Sequence, residues 1–324
     1  MGKTTTKTVN ANLNWLKLTL ALIVVAVHCK ILGGNDTLAG YLLCNGVFRV
    51  VVPVFFIING YFLGQAPMTW PVMRQWLWRV TMLYVFWMVI YSPLYLTGLG
   101  FADMLAAIKQ WVIGYFHLWY LVGMIGAGAL LFVLHQRSTA TLAAAALATF
   151  AIGVALQYAR VYVHIPNDFL QHFNQNDYTA RNFLFMAFPF MALGYLLARH
   201  PLHLRLNRSL VWGWLLLAMA LMLLESELNY RNDPVHLFNF DLLASMPLVA
   251  PALFMLVMVY DRPTQSVYVG QMSSAVYFVH PLILWCALGA GVVYGNFMVA
   301  LVTLAAVALA PLLIAMNQRW RFML

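Results

Sequence analysis

Apolar residues run along this chain in long blocks separated by short polar or charged interruptions. The blocks fall at about 13–32, 41–64, 79–98, 111–134, 139–158, 182–198, 209–224, 241–260, 272–290 and 297–316. A hydrocarbon core of ~30 Å takes about 20 helical residues to cross, and most of the blocks are that long. The pattern predicts an all-α, polytopic membrane helix bundle of about ten transmembrane helices, with 209–224 on the short side. Lys3 and Lys7 precede the first block as they would a secretory leader. No small-residue cleavage site follows, and the exit reads His28-Cys29-Lys30, so this block is expected to remain as a helix.

Composition agrees. The chain is 64% hydrophobic and 8% charged, where ordinary globular proteins run at roughly 45–50% and about 25%. Its mean hydropathy is +0.81. Soluble enzymes, disordered chains, collagens, disulfide-stapled secreted domains and nucleic-acid-binding modules are excluded together. The net charge of +9 matters through its distribution. With the start placed inside, twelve of the eighteen Lys and Arg residues, from Lys3 to Arg321, fall in cytoplasmic segments with one acid, Asp261. The positive-inside rule then puts both termini in the cytoplasm, which requires an even number of spans. Cys29, Cys44 and Cys286 sit in apolar runs without metal or redox spacing, and read as small buried hydrophobes.

Repeats and soluble appendages are not visible, so residues 1–324 are expected to form one membrane domain. The longest less apolar segments, 159–181 and 225–240, are placed outside and hold His164, Asp168, His172, Asp177, Arg181, Glu225, Glu227, Arg231 and Asp233. Their interleaved aromatics suit either carbohydrate stacking or the interfacial aromatic belt.

Ionisable groups inside a bilayer are costly and usually functional. Lys17 and His28 are eleven residues apart on the first helix, three turns plus about 20°, hence on one face with ~16 Å of rise between them. Lys17 lies toward the cytoplasmic mouth, where a snorkelling anchor is the plain alternative. Arg49 lies roughly 12 Å in from the outer end of the second helix, and its guanidinium must find acceptors or water. Pro53, Asn59 and Gly60 form a helix-loosening set behind it. Two further histidines, His117 and His280, lie in or beside spans. Together these residues point to a polar cavity through the bundle, fit for catalysis or transport. Recognised nucleophile elbows, zinc-protease motifs and phosphate loops are absent, and the histidines lack a matching set of metal ligands, so no metal is expected.

At these residues a family is recognisable. Lys17 with ten residues to His28 resembles the Arg/Lys-x10-His first-helix motif of the acyltransferase-3 family of integral membrane acyltransferases. Phe48-Arg49-Val50-Val51-Val52-Pro53-Val54-Phe55-Phe56-Ile57-Ile58-Asn59-Gly60-Tyr61 resembles its R-x-x-VPxFFxISGY stretch. His117-Leu118-Trp119-Tyr120-Leu121 resembles its HLWFL segment, and Ser274 to Pro281 its late S-x-x-x-Y-xx-H-P helix. Lysine stands at 17 where arginine is commoner, Asn59 where serine is commoner, and Trp76 where a second arginine is frequent, with Arg74 as a substitute. The length is similar to the compact surface-polysaccharide O-acetyltransferases, such as those acting on enterobacterial common antigen. It predicts no fused extracytoplasmic esterase-like domain.

The resemblance implies transfer of an acyl group, most simply acetyl from cytoplasmic acetyl-CoA, to a hydroxyl of an envelope glycan or lipid-linked saccharide. It places the protein in the bacterial inner membrane, among lipid and with no nucleic-acid partner. His28, Lys17 and Arg49 become the catalytic candidates, and Lys17, Arg74 and Arg79 the donor-binding ones. Asn59, Tyr61, His117, Trp119, Tyr120, Tyr277 and His280 become cavity-lining or substrate-binding candidates. An imidazole accepts a proton from a hydroxyl near neutral pH, and Arg49 stabilises an oxyanion. The rival expectation is a transporter or flippase for a saccharide or other small solute, against which the sequence offers no internal symmetry or paired broken helices.

Overall fold

The computed structural model describes residues 9–96, 98, 100–163, 176–233, 239–260, 262–320 and 322–324. Eight helices among them are long and apolar enough to cross a membrane, and Phe183–Arg199 and Met246–Val259 are shorter apolar ones. The protein is thus an all-α polytopic membrane bundle. Its one departure is a two-residue antiparallel bridge that pairs Val9 with Thr264 and Asn10 with Pro263.

In chain order the helices are α1 (Ala11–His28), α2 (Leu38–Cys44), α3 (Val51–Gln65), α4 (Trp70–Tyr95), α5 (Phe101–Ile113), α6 (Trp119–Leu134) and α7 (Thr139–Tyr162). After a π-turn at Phe183–Ala187 come α8 (Phe188–Arg199), α9 (Arg208–Asn232), α10 (Met246–Val259), α11 (Tyr268–Gly289) and α12 (Asn296–Arg319). Side-chain oxygens cap several starts. Asn10 accepts from the Leu13 N–H, Ser138 from Thr141 and Asn207 from Leu210, each satisfying a donor that the first helical turn leaves open. The Ala11 N–H bonds the Arg262 carbonyl, and Arg208 lies over the Tyr260 ring. The starts of α1 and α9 and the end of α10 therefore share one end of the bundle, the one with the basic loops.

Three details differ from the sequence expectation. The block at 209–224 is no short span: α9 continues to Asn232, carrying Glu225 and Glu227 on helix rather than loop. The block beginning at 111 belongs in part to α5. The chain turns at Gly114 (φ 87°) and Phe116 (φ 50°) before the span Phe116–Leu134 begins. On α5, Phe101, Met104, Leu105, Ile108 and Val112 are exposed at helical spacing, the stripe of a helix lying in an interface plane. Finally, α3 is unbroken at Pro53, which falls in its first turn where a missing N–H costs nothing. The break in the second span lies earlier, at Asn45 and Gly46.

The most intimate contact is between α3 and α8. A Cβ placed on Gly60 would lie 2.0 Å from the Met191 carbonyl oxygen, and one on Gly194 would lie 2.0 Å from that of Ile57. Only hydrogen at both positions lets the backbones close, as is common where membrane helices meet. Gly60→Ala is expected to destabilise by about 1–3 kcal/mol or more through overpacking, seen as a lower melting temperature in detergent. Gly289→Ala, with nothing within 4 Å of the added methyl, is the control and should melt like the parent. Equal melting of all three proteins would show that the α3–α8 approach is not tight.

Candidate active site

Two cavities enter the bundle from opposite ends and share one wall. The larger, about 640 Å³, opens toward the basic end and is lined by Lys17, Asn59, Trp76, Arg79, Tyr120 and Tyr277 among others. The smaller, about 80 Å³, lies toward the far end and is lined by His28, Arg49, His117, Trp119, Arg181 and Asp241, again with Tyr277. Lys17 and His28 thus face different cavities from one straight helix. The Lys17 ammonium sits 5.1 Å from the centre of the Phe62 ring, where the ring quadrupole favours a cation.

The histidines form a directed chain. His280 is fully buried on α11. Pro281 behind it has no N–H to give the Tyr277 carbonyl, which loosens this turn. The His280 Nδ1 lies 3.2 Å from the Val276 carbonyl, which can only accept, so Nδ1 carries the proton and Nε2 a lone pair. That Nε2 lies 2.9 Å from His28 Nδ1, which therefore donates. His28 Nε2 is left as a free acceptor on a side chain lining the far cavity. His117 completes the cluster with its ring 5.4 Å from that of His280 and 5.0 Å from that of Tyr277. Both its ring nitrogens are buried without a hydrogen-bond partner among the described residues. The left-handed turn at Phe116 seats that ring 4.6 Å from His28. Backbone strain of this kind is held only where the surroundings over-determine it.

The charges opposite are arranged in alternation. Arg49 and Asp241 form a close ion pair, Arg49 Nη2 donates to Asn45 at 2.7 Å, and Arg181 lies 3.4 Å from the other Asp241 oxygen. Asp177 then bridges Arg181 and Arg160 at 3.6 and 2.6 Å. The Arg181 guanidinium also stacks 5.0 Å over Trp119. Asp241 reaches this place on an irregular buried segment, 239–245. Its N–H groups are satisfied by side chains: Phe240 by Asn45, Asp241 by Gln157, Ala244 and Ser245 by Glu225. Irregular backbone survives at membrane depth only with such internal partners.

Not every candidate converges. Arg74 and Arg79 are both exposed, but Arg79 stands on the lining of the larger cavity and Arg74 lines neither cavity. Tyr61 packs its ring 5.1 Å from that of Phe254, on the side of α3 away from both cavities. His280 stands behind His28 rather than in a cavity wall. Asp241, Arg181, Asn45 and Gln157 are not singled out by motif or spacing; their pairings span up to 195 residues. His164, Asp168 and His172 lie outside the described residues. Among the described residues no three His, Cys, Asp or Glu side chains are grouped to hold a metal ion. Cys29 and Cys44 are buried while Cys286 is exposed.

A family described as an acyltransferase domain matches residues 10–316, nearly the whole chain. The chain belongs to the acyltransferase-3 family. The acyltransferase fold therefore carries His28 and Lys17 on its first span and His280 near its last. An amino-acid racemase of Enterococcus faecalis is 25% identical over 285 residues, 82% of this chain and 39% of that protein. The chain thus spans about two fifths of that relative's length. No solved structure matches it.

Asp241→Ala is expected to cost about 3–5 kcal/mol, since it strands buried guanidinium charge. Glu227→Ala breaks an exposed pair with Arg231 on α9 and should change stability by no more than about 1 kcal/mol. Thermal melting in detergent compares them, and equal melting would mean that the Asp241 cluster is solvated.

Proposed function

We propose that this acyltransferase moves an acetyl group from cytoplasmic acetyl-CoA to a hydroxyl of an envelope glycan or lipid-linked saccharide, in the bacterial inner membrane. The observation that carries the reading is the pair of cavities meeting at Tyr277, cationic residues on one side and the histidine chain on the other. The basic end, facing the cytoplasm by the positive-inside rule, receives the multiply anionic donor at Lys17 and Arg79. The far cavity receives the acceptor. The motifs resemble those of the surface-polysaccharide O-acetyltransferases, and enterobacterial common antigen is an acceptor of the right kind. The racemase name of the enterococcal relative is not carried over, because this chain covers 39% of that protein.

In the proposed step the His28 Nε2 takes the proton of the acceptor hydroxyl as its oxygen attacks the thioester carbon. His280 holds His28 in the tautomer that leaves Nε2 free and spreads the imidazolium charge that forms. Arg49 faces the same cavity and stabilises the oxyanion of the tetrahedral intermediate. When the carbon–sulfur bond breaks, His28 returns its proton to the departing thiolate, leaving coenzyme A and the acylated glycan. The partnerless nitrogens of His117 give the acceptor a second polar contact.

Incubation of membranes with labelled acetyl-CoA separates this reading from a transporter, which shares the interrupted spans at Asn45 and at 239–245 but would turn over no acyl-CoA. His28→Ala should lower kcat by about 10²–10⁴-fold, whereas Lys17→Ala should mainly raise KM for acetyl-CoA. A His28→Ala protein that inserts normally and turns over like the parent sinks the mechanism. His280→Gln keeps an acceptor for His28 Nδ1 and should retain more activity than His280→Leu. If the two are equally impaired, the tautomer assignment is wrong and His280 merely fills space.

A further inference from the structure

Between the two cavities stands a ring triad. Phe55, Tyr120 and Tyr277 touch pairwise, with centroids 6.1 Å apart for Phe55–Tyr120, 6.1 Å for Phe55–Tyr277 and 5.8 Å for Tyr120–Tyr277. All three line the larger cavity, and Tyr277 lines the smaller one as well. Two of the rings are fixed by their hydroxyls. Asn59 Nδ2 donates to the Tyr120 oxygen at 2.7 Å, and the Tyr277 hydroxyl donates to the His117 carbonyl at 3.0 Å. Phe55 has no polar handle. It closes the triangle by contact alone, so cutting it back opens the passage without stranding a buried polar group.

We propose that this triad is an acyl-length selector, with Phe55 as the residue that sets the limit, so that acetyl passes to His28 and longer acyl chains are refused. The inference rests on the acyl-transfer reading above. Of the three rings Tyr277 alone lines both cavities, so in this proposal a thioester entering from the basic end reaches the imidazole past that ring and the two packed against it. The gap left by one phenol ring takes a carbonyl and a methyl. Beyond it the far cavity, about 80 Å³, has room for roughly half a dozen water-sized groups. The acceptor hydroxyl needs part of that space. A longer chain has to lie back across the ring triad itself, where each methylene forced against a packed wall costs about 10–200-fold in discrimination. The larger cavity, about 640 Å³, does not impose this limit. Selection therefore belongs at the rings.

The test uses inside-out membrane vesicles from cells producing the full chain, so that native acceptors are present and the cytoplasmic face is accessible. Labelled acetyl-, butyryl- and hexanoyl-CoA are supplied in turn, and label fixed to membrane saccharide is counted against vesicles lacking the chain. The parent should favour acetyl over butyryl by about 100-fold or more, two methylenes at the rate above. Phe55→Ala should raise the hexanoyl-to-acetyl ratio at least about tenfold, a gain that misfolding cannot produce. Phe55→Leu, a milder change, should admit butyryl and still refuse hexanoyl. A parent that transfers hexanoyl as readily as acetyl overturns the selector, as does an unchanged chain-length profile in both variants. Transfer of no acyl group by the parent falls on the acyl-transfer reading itself, and the selector goes with it.

Discussion

A guanidinium cannot shed its proton to escape a low-dielectric interior. Arg49, with 14% of its side chain exposed, therefore requires a carboxylate, and the fold around the far cavity follows from that need. Asp241 supplies it. The chain at 239–245 is irregular, and irregular backbone among apolar helices requires its own partners. Asn45, Gln157 and Glu225 provide them. Asn45 accepts from both the guanidinium and the Phe240 N–H, so the break that ends α2 and the bend that precedes α10 are two sides of one arrangement.

The same cluster bears on the chemistry. Asp241 is shared by Arg49 and Arg181, and Asp177 by Arg181 and Arg160. Three cations and two anions leave these five residues with a positive surplus beside the imidazole. Preorganised positive charge in a poorly solvated site favours an oxyanion far more than the same charge would in water. The histidine chain runs on the opposite side and ends on a backbone carbonyl rather than a carboxylate. In the proposed mechanism its part would be to orient His28.

Much of this was legible in the sequence. Among the described residues the ten apolar blocks correspond to eight helices long enough to cross a membrane and two shorter apolar ones, because lipid permits few alternatives, and Lys17 and His28 share a helix face by counting alone. Glu225 misled for a physical reason: an acid ends an apolar run, so α9 read as short. In the fold that acid turns inward to cap the start of α10. Asp241 was hidden because its value depends on partners from Arg49 to Arg181, far apart in sequence. His280 was visible as a membrane-embedded histidine, yet its place behind His28 depends on how α1 and α11 pack. Tyr61 and Arg74 show the converse, since a motif position fixes residue type more firmly than the direction in which the side chain points.

The division of the site into two cavities also answers a problem set by the membrane. In the proposed transfer, a donor from one compartment would have to meet an acceptor from the other without leaving an open polar channel between them. Tyr277 lies where they would meet, and its hydroxyl is held by the His117 backbone while its ring closes against Phe55 and Tyr120. The seal is built of aromatic surface, so opening it for the proposed transfer would break no ion pair. The ionised groups stay on either side of it, Lys17 and Arg79 toward one end and Arg49 and Arg181 toward the other. For the proposed transfer, only an uncharged acyl group and a shuttled proton need to cross the interior, and an apolar collar passes those more readily than any charged part of the donor.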